Sequence, residues 1–432
     1  MKFTLLTAAL VLAGYATAVP MVKTSSFDDG YVAPLYAPVE AEAVRGSYIV
    51  VLKDHLSMEQ LQDHAEWISS MVAAKAYNNG EFLDSSFQMG IKHVYETPNF
   101  KGYAGRFDKN MLEAIRRSEE VDFVEEDSIV YASELQRGAP WGLARISSRK
   151  ALTLRNFSKY NYDANTAGDG IKVYVIDTGI NVSHNDFGGR ATWGKTIPAG
   201  DDDRDGNGHG SHCAGTIAGT KYGVAKKARP VAVKVLASNG SGSMSDVMGG
   251  VDWAILDFRK DKEQAQTEGK PFKGAVANMS LGGGKSVGLD KIVNAAVDAG
   301  MVFAVAAGND NRDACDYSPA RAEKAITVGA STIADERAYF SNYGKCVDVF
   351  APGLDIQSIW IGSNTATNTI SGTSMASPHV AGLAAYFLSQ SEPGVTPKEI
   401  KERILAVATP NELKKIPKDT PNLLIYNDYE SS

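Results

Sequence analysis

The chain has 432 residues, of which 44% are hydrophobic and 22% charged, with a formal net charge of −7. That length exceeds one ordinary domain, and the composition is that of a globular protein with a large core. The acidic balance and the lack of a Lys/Arg run argue against a nucleic-acid partner, and no apolar stretch beyond the N-terminus approaches the roughly 20 residues that span a bilayer.

The first segment reads as a leader. Lys2 supplies a positive charge, residues 3–12 are an apolar run too short to span, and Ala16-Thr17-Ala18 has the small-x-small form of a signal-peptidase site. Residues 1–18 are therefore expected to be a signal peptide. The expected route is secretory, ending outside the cell or, alternatively, in a vacuole, through an oxidising lumen where disulfides persist. There are three cysteines, Cys213, Cys315 and Cys346, so at least one thiol stays unpaired. Asn156-Phe-Ser, Asn181-Val-Ser and Asn239-Gly-Ser are glycosylation sequons. Asn278-Met-Ser also fits the pattern, but its apolar, strand-like surroundings predict burial.

Residues 19–46 lack periodicity, carry Pro20, Pro34 and Pro38, and read as a linker. From Ser47 the texture changes. Residues 47–52 are β-branched and strand-like, and Met58, Leu61, Ile68 and Met71 fall at helical spacing. Residues 92–95 and 102–107 are short alternating segments, 111–117 read as a helix, and 121–131 contain a last strand. The order β-α-β-β-α-β predicts a small two-layer, ferredoxin-like α+β domain over residues 47–132. The acidic run through Glu119, Glu120, Asp122, Glu125, Glu126 and Asp127 reads as a solvated face.

After about residue 133 the chain becomes rich in Gly and Ala. Uninterrupted apolar runs at 171–176, 231–237, 275–281, 301–306 and 325–330 predict parallel strands buried on both faces. Helical patterns at 243–258, 289–299 and 373–390 lie between or after them, so residues 133–432 are expected to form an α/β domain with a helix-covered parallel sheet.

Three segments of this second region carry chemistry. Val175-Ile176-Asp177-Thr178-Gly179 puts a carboxylate at the C-terminal edge of a buried strand, where open α/β sheets bind ligands. Asn207-Gly208-His209-Gly210-Ser211-His212-Cys213 is a turn running into a helix of small residues. Ser371-Gly372-Thr373-Ser374-Met375-Ala376 is a second such turn, with Ser374 at a helix N-terminus, where free N–H groups meet developing negative charge. A Ser hydroxyl is a poor nucleophile near neutral pH. It needs an imidazole to take its proton, and the imidazole needs a carboxylate to hold its tautomer.

The three segments resemble the active-site blocks of the subtilisin family, in that family's chain order. The resemblance is to the fungal proteinase K and cerevisin branch. Residues 139–147 resemble the start of the mature enzyme in that branch, the similarity runs on to about residue 386, and residues 47–132 resemble the inhibitory prodomain. The resemblance implies a serine endopeptidase zymogen with Asp177 as orienting acid, His209 as general base and Ser374 as nucleophile, activated by a cut between residues 132 and 134. Protein or peptide substrates and the chain's own prodomain are the implied partners, in a monomer with no organic cofactor.

Further roles follow by position. Ala306-Ala307-Gly308-Asn309 resembles the segment bearing the oxyanion-hole Asn, so Asn309 would join the Ser374 N–H. A lone Asn-Asp after a strand is ordinarily a turn; the three other blocks favour the functional assignment. Gly240, Ser241 and Gly242, with Ser280, Leu281 and Gly282 opposite, match the strands that pair with a substrate backbone, which implies broad specificity with an apolar or aromatic preference. Asp348 matches a calcium-ligating Asp, with carbonyls of Glu323 and Ala325 completing the set of a structural Ca²⁺. Cys315 and Cys346 match the cerevisin side of the branch and are expected to pair, leaving Cys213 as a free, non-catalytic thiol beneath the histidine. His212 and His379 fit no metal spacing and are read as structural. An esterase with the same triad would need a Gly-x-Ser-x-Gly elbow, which the Ser374 segment lacks.

Overall fold

The computed structural model describes residues 22–24, 31–37, 43–79, 89–97, 100–128 and 133–429. The expected signal peptide, half of the expected linker and the residues just ahead of Ser133 lie outside them. The described chain divides into two compact units, one ending at Ser128 and the other beginning at Ser133.

In the first unit, alternation along β3 (Ala43–Leu52) sends Val50 and Leu52 into an apolar cluster. Helix α1 (Met58–Asn79) adds Leu61 and Ile68 to that cluster. The edge strand β4 (Gly90–Thr97) pairs with β5 (Phe100–Arg106), and β5 and β6 (Val121–Ser128) flank β3, all antiparallel. Helix α2 (Lys109–Arg116) starts at Asp108, whose carboxylate caps the N–H groups of Asn110 and Met111, and it buries Met111, Leu112 and Ile115. The expected β-α-β-β-α-β order is present. The linker departs from expectation: it holds two short strands, β1 (Val22–Thr24) and β2 (Leu35–Ala37), and β2 pairs in parallel with β6 through Leu35 and Val124. Three residues are too few to show a period, so tertiary pairing alone decides these strands.

The second unit opens with β7 (Ser133–Arg137), α3 (Trp141–Ile146) and β8 (Lys159–Asp163), with β7 and β8 paired antiparallel. The chain then alternates β9 (Lys172–Asp177), β10 (Thr192–Thr196), α4 (His209–Ala218), β11 (Arg229–Lys234), α5 (Met244–Thr267) and β12 (Ala275–Met279). It continues through β13 (Gly283–Gly284), α6 (Val287–Ala299), β14 (Met301–Ala306), β15 (Tyr317–Ser318), β16 (Ile326–Ser331) and β17 (Val349–Pro352). The hairpin β18 (Ile356–Ile359) with β19 (Thr367–Ile370), then α7 (Thr373–Gln390), α8 (Pro397–Val407), β20 (Thr409–Pro410) and β21 (Leu423–Leu424) complete it.

The main sheet runs β10-β11-β9-β12-β14-β16-β17-β21-β20, parallel except for the last pair. Its central strands are buried along nearly their whole length because each face has its own cluster. Val173 and Val175 of β9 pack with Ile217, Val380 and Leu383 of α4 and α7, while Tyr174 and Ile176 pack with Val251, Phe258 and Val293 of α5 and α6. Helix α5 runs well beyond the expected end near residue 258; its last turns are nearly all exposed, so no apolar stripe marks them. Helix α8 carries a start signal that the periodicity reading passed over: Thr396 and Glu399 form a capping box around Pro397, and Ile400 and Ile404 are buried.

Strand β9 sits where the order reverses, with β11 on one side and β12 on the other. A cleft opens at the carboxyl ends of strands around such a point. Cys315 and Cys346 are joined by a disulfide and Cys213 is buried and free. Among the described residues no helix is long and apolar enough to cross a membrane.

Candidate active site

Asp177 is the last residue of β9 and is fully buried. Its Oδ1 lies 2.7 Å from His209 Nδ1 and accepts the Thr178 N–H at 2.7 Å. His209 reaches it because α4 begins unusually close to the strand end. A Cβ on Gly210 would lie 2.2 Å from the Gly179 carbonyl oxygen, so only glycine allows that approach. Burial, the largest single influence, disfavours the imidazolium, but the charge and hydrogen bond of Asp177 and the charge of Asp205 outweigh it, and the His209 pKa is raised above 6.5.

Asp205 was not singled out in the sequence, yet it organises this turn. Its Oδ1 accepts from Thr178 Oγ1 at 2.9 Å, Asn207 N at 3.0 Å and Gly208 N at 2.8 Å. Its Oδ2 accepts from Ser211 N at 3.0 Å and Ser211 Oγ at 2.6 Å. One buried carboxylate thus ties the segment after Asp177 to both sides of His209 and satisfies N–H groups at the start of α4. The Asp-x-Asn-Gly-His spacing was its only local signal. On the other side, the buried Lys234 ammonium donates to the Thr178 carbonyl at 3.0 Å.

Ser374 stands in the first turn of α7, and its hydroxyl proton is directed to the Ser280 carbonyl at 2.9 Å. Asn309 follows β14 in a loop with Gly308 at φ +104°, packed on the buried Asn342 side chain. Asn342 accepts from Asp310 N and Arg312 N and donates to the Ala307 carbonyl, which shapes the loop. Asn309 Oδ1 accepts from Thr373 N at 2.8 Å and Thr373 Oγ1 at 2.9 Å, so the amide nitrogen faces the other way. A Cβ on Gly372 would sit 3.6 Å from Asn309 Nδ2 and 3.5 Å from Ser374 N. The two donors therefore border the same open space, the arrangement that stabilises an oxyanion.

The six expected backbone-pairing residues line one cleft of about 440 Å³ together with His209, Leu236, Met244 and Leu289. Neither segment is itself a strand. Gly240 lies in a tight turn at φ +81°, where its N–H donates to the Ala237 carbonyl, and Ser280, Leu281 and Gly282 follow β12 without ladder partners. In the 240–242 turn the Gly240 N–H, the Ser241 N–H and the Ser241 carbonyl are already bonded to Ala237 and Asn239, whereas residues 280–282 are an edge of the kind an extended peptide can join.

The remaining candidates sort by burial. His212 bonds the Ile356 carbonyl at 2.9 Å and His379 the Met375 carbonyl at 2.8 Å, and desolvation pushes both down to about 4. Both are neutral structural donors near pH 7. Cys213 lies within 4.8 Å of the Asp177 and His209 ligand atoms, but burial pushes its thiol well up and keeps it protonated. Asn278 is fully buried and bonded to Ser280 and Ser377, as its surroundings predicted. Asp348, Glu323 and Ala325 do come together, but around the ammonium of Lys401.

The model of the subtilase family matches residues 168–421, and that of peptidase inhibitor I9 matches residues 47–133. The chain is 53% identical to the subtilisin-like serine protease Pen c 2 of Penicillium citrinum, over 98% of this chain and 96% of that protein. It is also 53% identical to subtilisin-like protease 8 of Arthroderma otae, over 96% and 88%. Among solved structures, a cold-adapted subtilisin-like serine proteinase is 45% identical, with a TM-score of 0.60, over 67% of this chain and 98% of that one.

Proposed function

This chain belongs to the subtilase family of serine proteases and carries an inhibitor I9 prodomain, and on that premise we propose that it is the zymogen of a broad-specificity endopeptidase that works through Asp177, His209 and Ser374. The observation that supports the reading is a carboxylate-held imidazole lining the same cleft as Ser280, whose carbonyl takes the Ser374 hydroxyl, with the Ser374 backbone N–H and the Asn309 amide close together.

A substrate peptide lies between the two segments, its backbone bonding to the edge at 280–282 and to groups of residues 240–242. Side chains enter a cleft walled by Leu236, Met244, Leu281 and Leu289, which favours apolar or aromatic groups. The Ser374 hydroxyl swings from the Ser280 carbonyl toward His209 Nε2. As Oγ attacks the scissile carbonyl carbon, its proton passes to Nε2, and Asp177 stabilises the imidazolium without taking a proton itself. The carbonyl electron pair moves onto oxygen, where Asn309 Nδ2 and Ser374 N donate to it. Collapse breaks the C–N bond, and the leaving amine takes the proton from Nε2. Water repeats the sequence on the acyl-enzyme and restores Ser374. No organic cofactor enters these steps.

Residues 47–132 act as the inhibitory prodomain, residues 1–18 as a signal peptide, and the destination is extracellular or vacuolar. Exposed Asn239 is the sequon most open to glycosylation. A cut between residues 132 and 134 leaves the β7–β8 pair with the enzyme; tethering makes that first cut unimolecular. The experiment is expression of the full chain with and without Ser374→Ala in a protease-free system. The parent is expected to yield a chain starting near Ser133 that a fluorophosphonate labels. Ser374→Ala is expected to stay uncut and unlabelled. Correct processing of Ser374→Ala would mean that another agent makes the cut.

A further inference from the structure

Besides its apolar face, helix α8 presents one cation to the edge of the main sheet. Lys401 Nζ donates to the Ala325 carbonyl at 2.7 Å, approaches the Asp348 carboxylate at 2.9 Å to both Oδ1 and Oδ2, and makes a longer contact of 3.4 Å to the Glu323 carbonyl. Asp348 is itself fixed, since Oδ2 accepts the Thr327 N–H at 2.8 Å and its own N–H donates to the Thr327 carbonyl. These are the carboxylate and the two carbonyls that the family resemblance assigns to a structural calcium ion.

We propose that Lys401 is the resident cation of this site, a covalently attached ammonium standing where a divalent ion would otherwise sit. The donor arithmetic fits. An ammonium has three N–H groups, and three residues surround it as acceptors. The separations to Ala325 and Asp348 are those of N–H···O bonds, whereas Ca²⁺ holds six to eight oxygens at roughly 2.3–2.6 Å. A calcium ion on these oxygens would need the position of Nζ, and two cations cannot share one carboxylate at that range. The pair is also charge-neutral, so no second cation is called for.

The fold supplies the reason the ammonium arrives there. The capping box at Thr396 and Glu399 sets the start of α8, and burial of Ile400 and Ile404 fixes its rotation, which leaves Lys401 facing the Asp348 edge. The contact then holds α8 against the segments leading into β16 and β17. A divalent ion would bridge only those two segments; the lysine adds the C-terminal helix to the bridge.

The test is thermal melting of the full chain carrying Ser374→Ala, to prevent self-digestion, in EDTA and in millimolar CaCl₂, with and without Asp348→Asn. Any rise that CaCl₂ produces elsewhere in the molecule is expected to be the same in Asp348→Asn as in its parent. A rise present in the parent and lost in Asp348→Asn would put a divalent ion on this carboxylate and overturn the proposal. Lys401→Met is expected to melt about 2–6 °C lower in EDTA, and melting at the parent's temperature would overturn it as well. If Lys401→Met is too unstable to purify, the Asp348→Asn comparison still decides.

Discussion

The two sheets of this molecule are built on opposite principles. Every residue of β12 and β14 in the main sheet is buried, and successive side chains feed two separate apolar clusters. In the prodomain sheet no residue of β4 is fully buried, and one cluster around Val50, Tyr103 and Ile115 serves the whole unit. A sheet covered on both faces is a rigid platform, suited to holding Asp177 and Asn309 at strand ends. A unit of prodomain size with a single core holds roughly 4–13 kcal/mol, less than the larger unit, which suits a part proposed to be removed.

The sharpest way to break this contrast is to make the same cut in both cores. Ile115→Ala, fully buried in the prodomain, is expected to cost about 2–5 kcal/mol, a large share of that unit's margin. Calorimetry of the full chain should lose the prodomain transition, whereas Ile217→Ala in α4 should lower the main transition without abolishing it. Equal behaviour of the two variants would erase the distinction.

The disulfide sharpens the contrast from the other side. Cys315 and Cys346 are 31 residues apart, so Cys315→Ser should cost about 3–4 kcal/mol by the chain-entropy argument. The loss should appear in the main transition alone. A matching fall in the prodomain transition would show that the two units do not melt separately.

If the main sheet is a platform, trimming a group on it should alter chemistry and leave stability nearly unchanged. Asn309→Leu is expected to lower kcat by about 10²–10³-fold with KM little changed, a magnitude taken from a relative in this family rather than derived from this structure. Steady-state kinetics and a melting curve on the same sample decide it. A large fall in Tm with kcat intact would make Asn309 a loop support.

The smallest expected effect is in pH dependence, where the two units run in opposite directions. His209 is raised on folding by Asp177, so its pairing stabilises the folded chain below the unfolded value near 6.5, and that increment is lost as pH rises through the raised pKa. Activity needs the neutral imidazole, so the acid limb of kcat/KM should lie above 6.5 and move down in Asp177→Asn. In the prodomain, burial lowers His64, only partly offset by the bond and charge of Glu120. Acidification below about 6.5 should therefore lower the prodomain transition, and His64→Gln should flatten that trend. A prodomain Tm that is constant between pH 7 and 5 would count against it.

Legibility in the sequence followed how local each feature is. The Asp177, His209 and Ser374 blocks could be read because each needs glycines or small residues beside one reactive side chain, and that is a short-range pattern. The buried strands were legible because two apolar faces leave an unbroken run. Strand β2 and the tail of α5 were not, because three residues carry no period and an exposed helix carries no stripe.

The sequence by itself determined the α/β class, the residue types of the three blocks and a small β-α-β-β-α-β unit ahead of them, all properties of residue type at close spacing; that the small unit is an inhibitory prodomain came from the family resemblance. Only the tertiary structure decided that Asp205 binds both sides of the His209 turn, that the Ser374 proton rests on the Ser280 carbonyl, and that Lys401 occupies the oxygens around Asp348. The physical reason is the same each time. A buried polar atom takes whichever partner the packing brings within about 3 Å. For Lys401 those partners lie 76 and 53 positions away along the chain, a separation at which no local pattern can specify which group arrives.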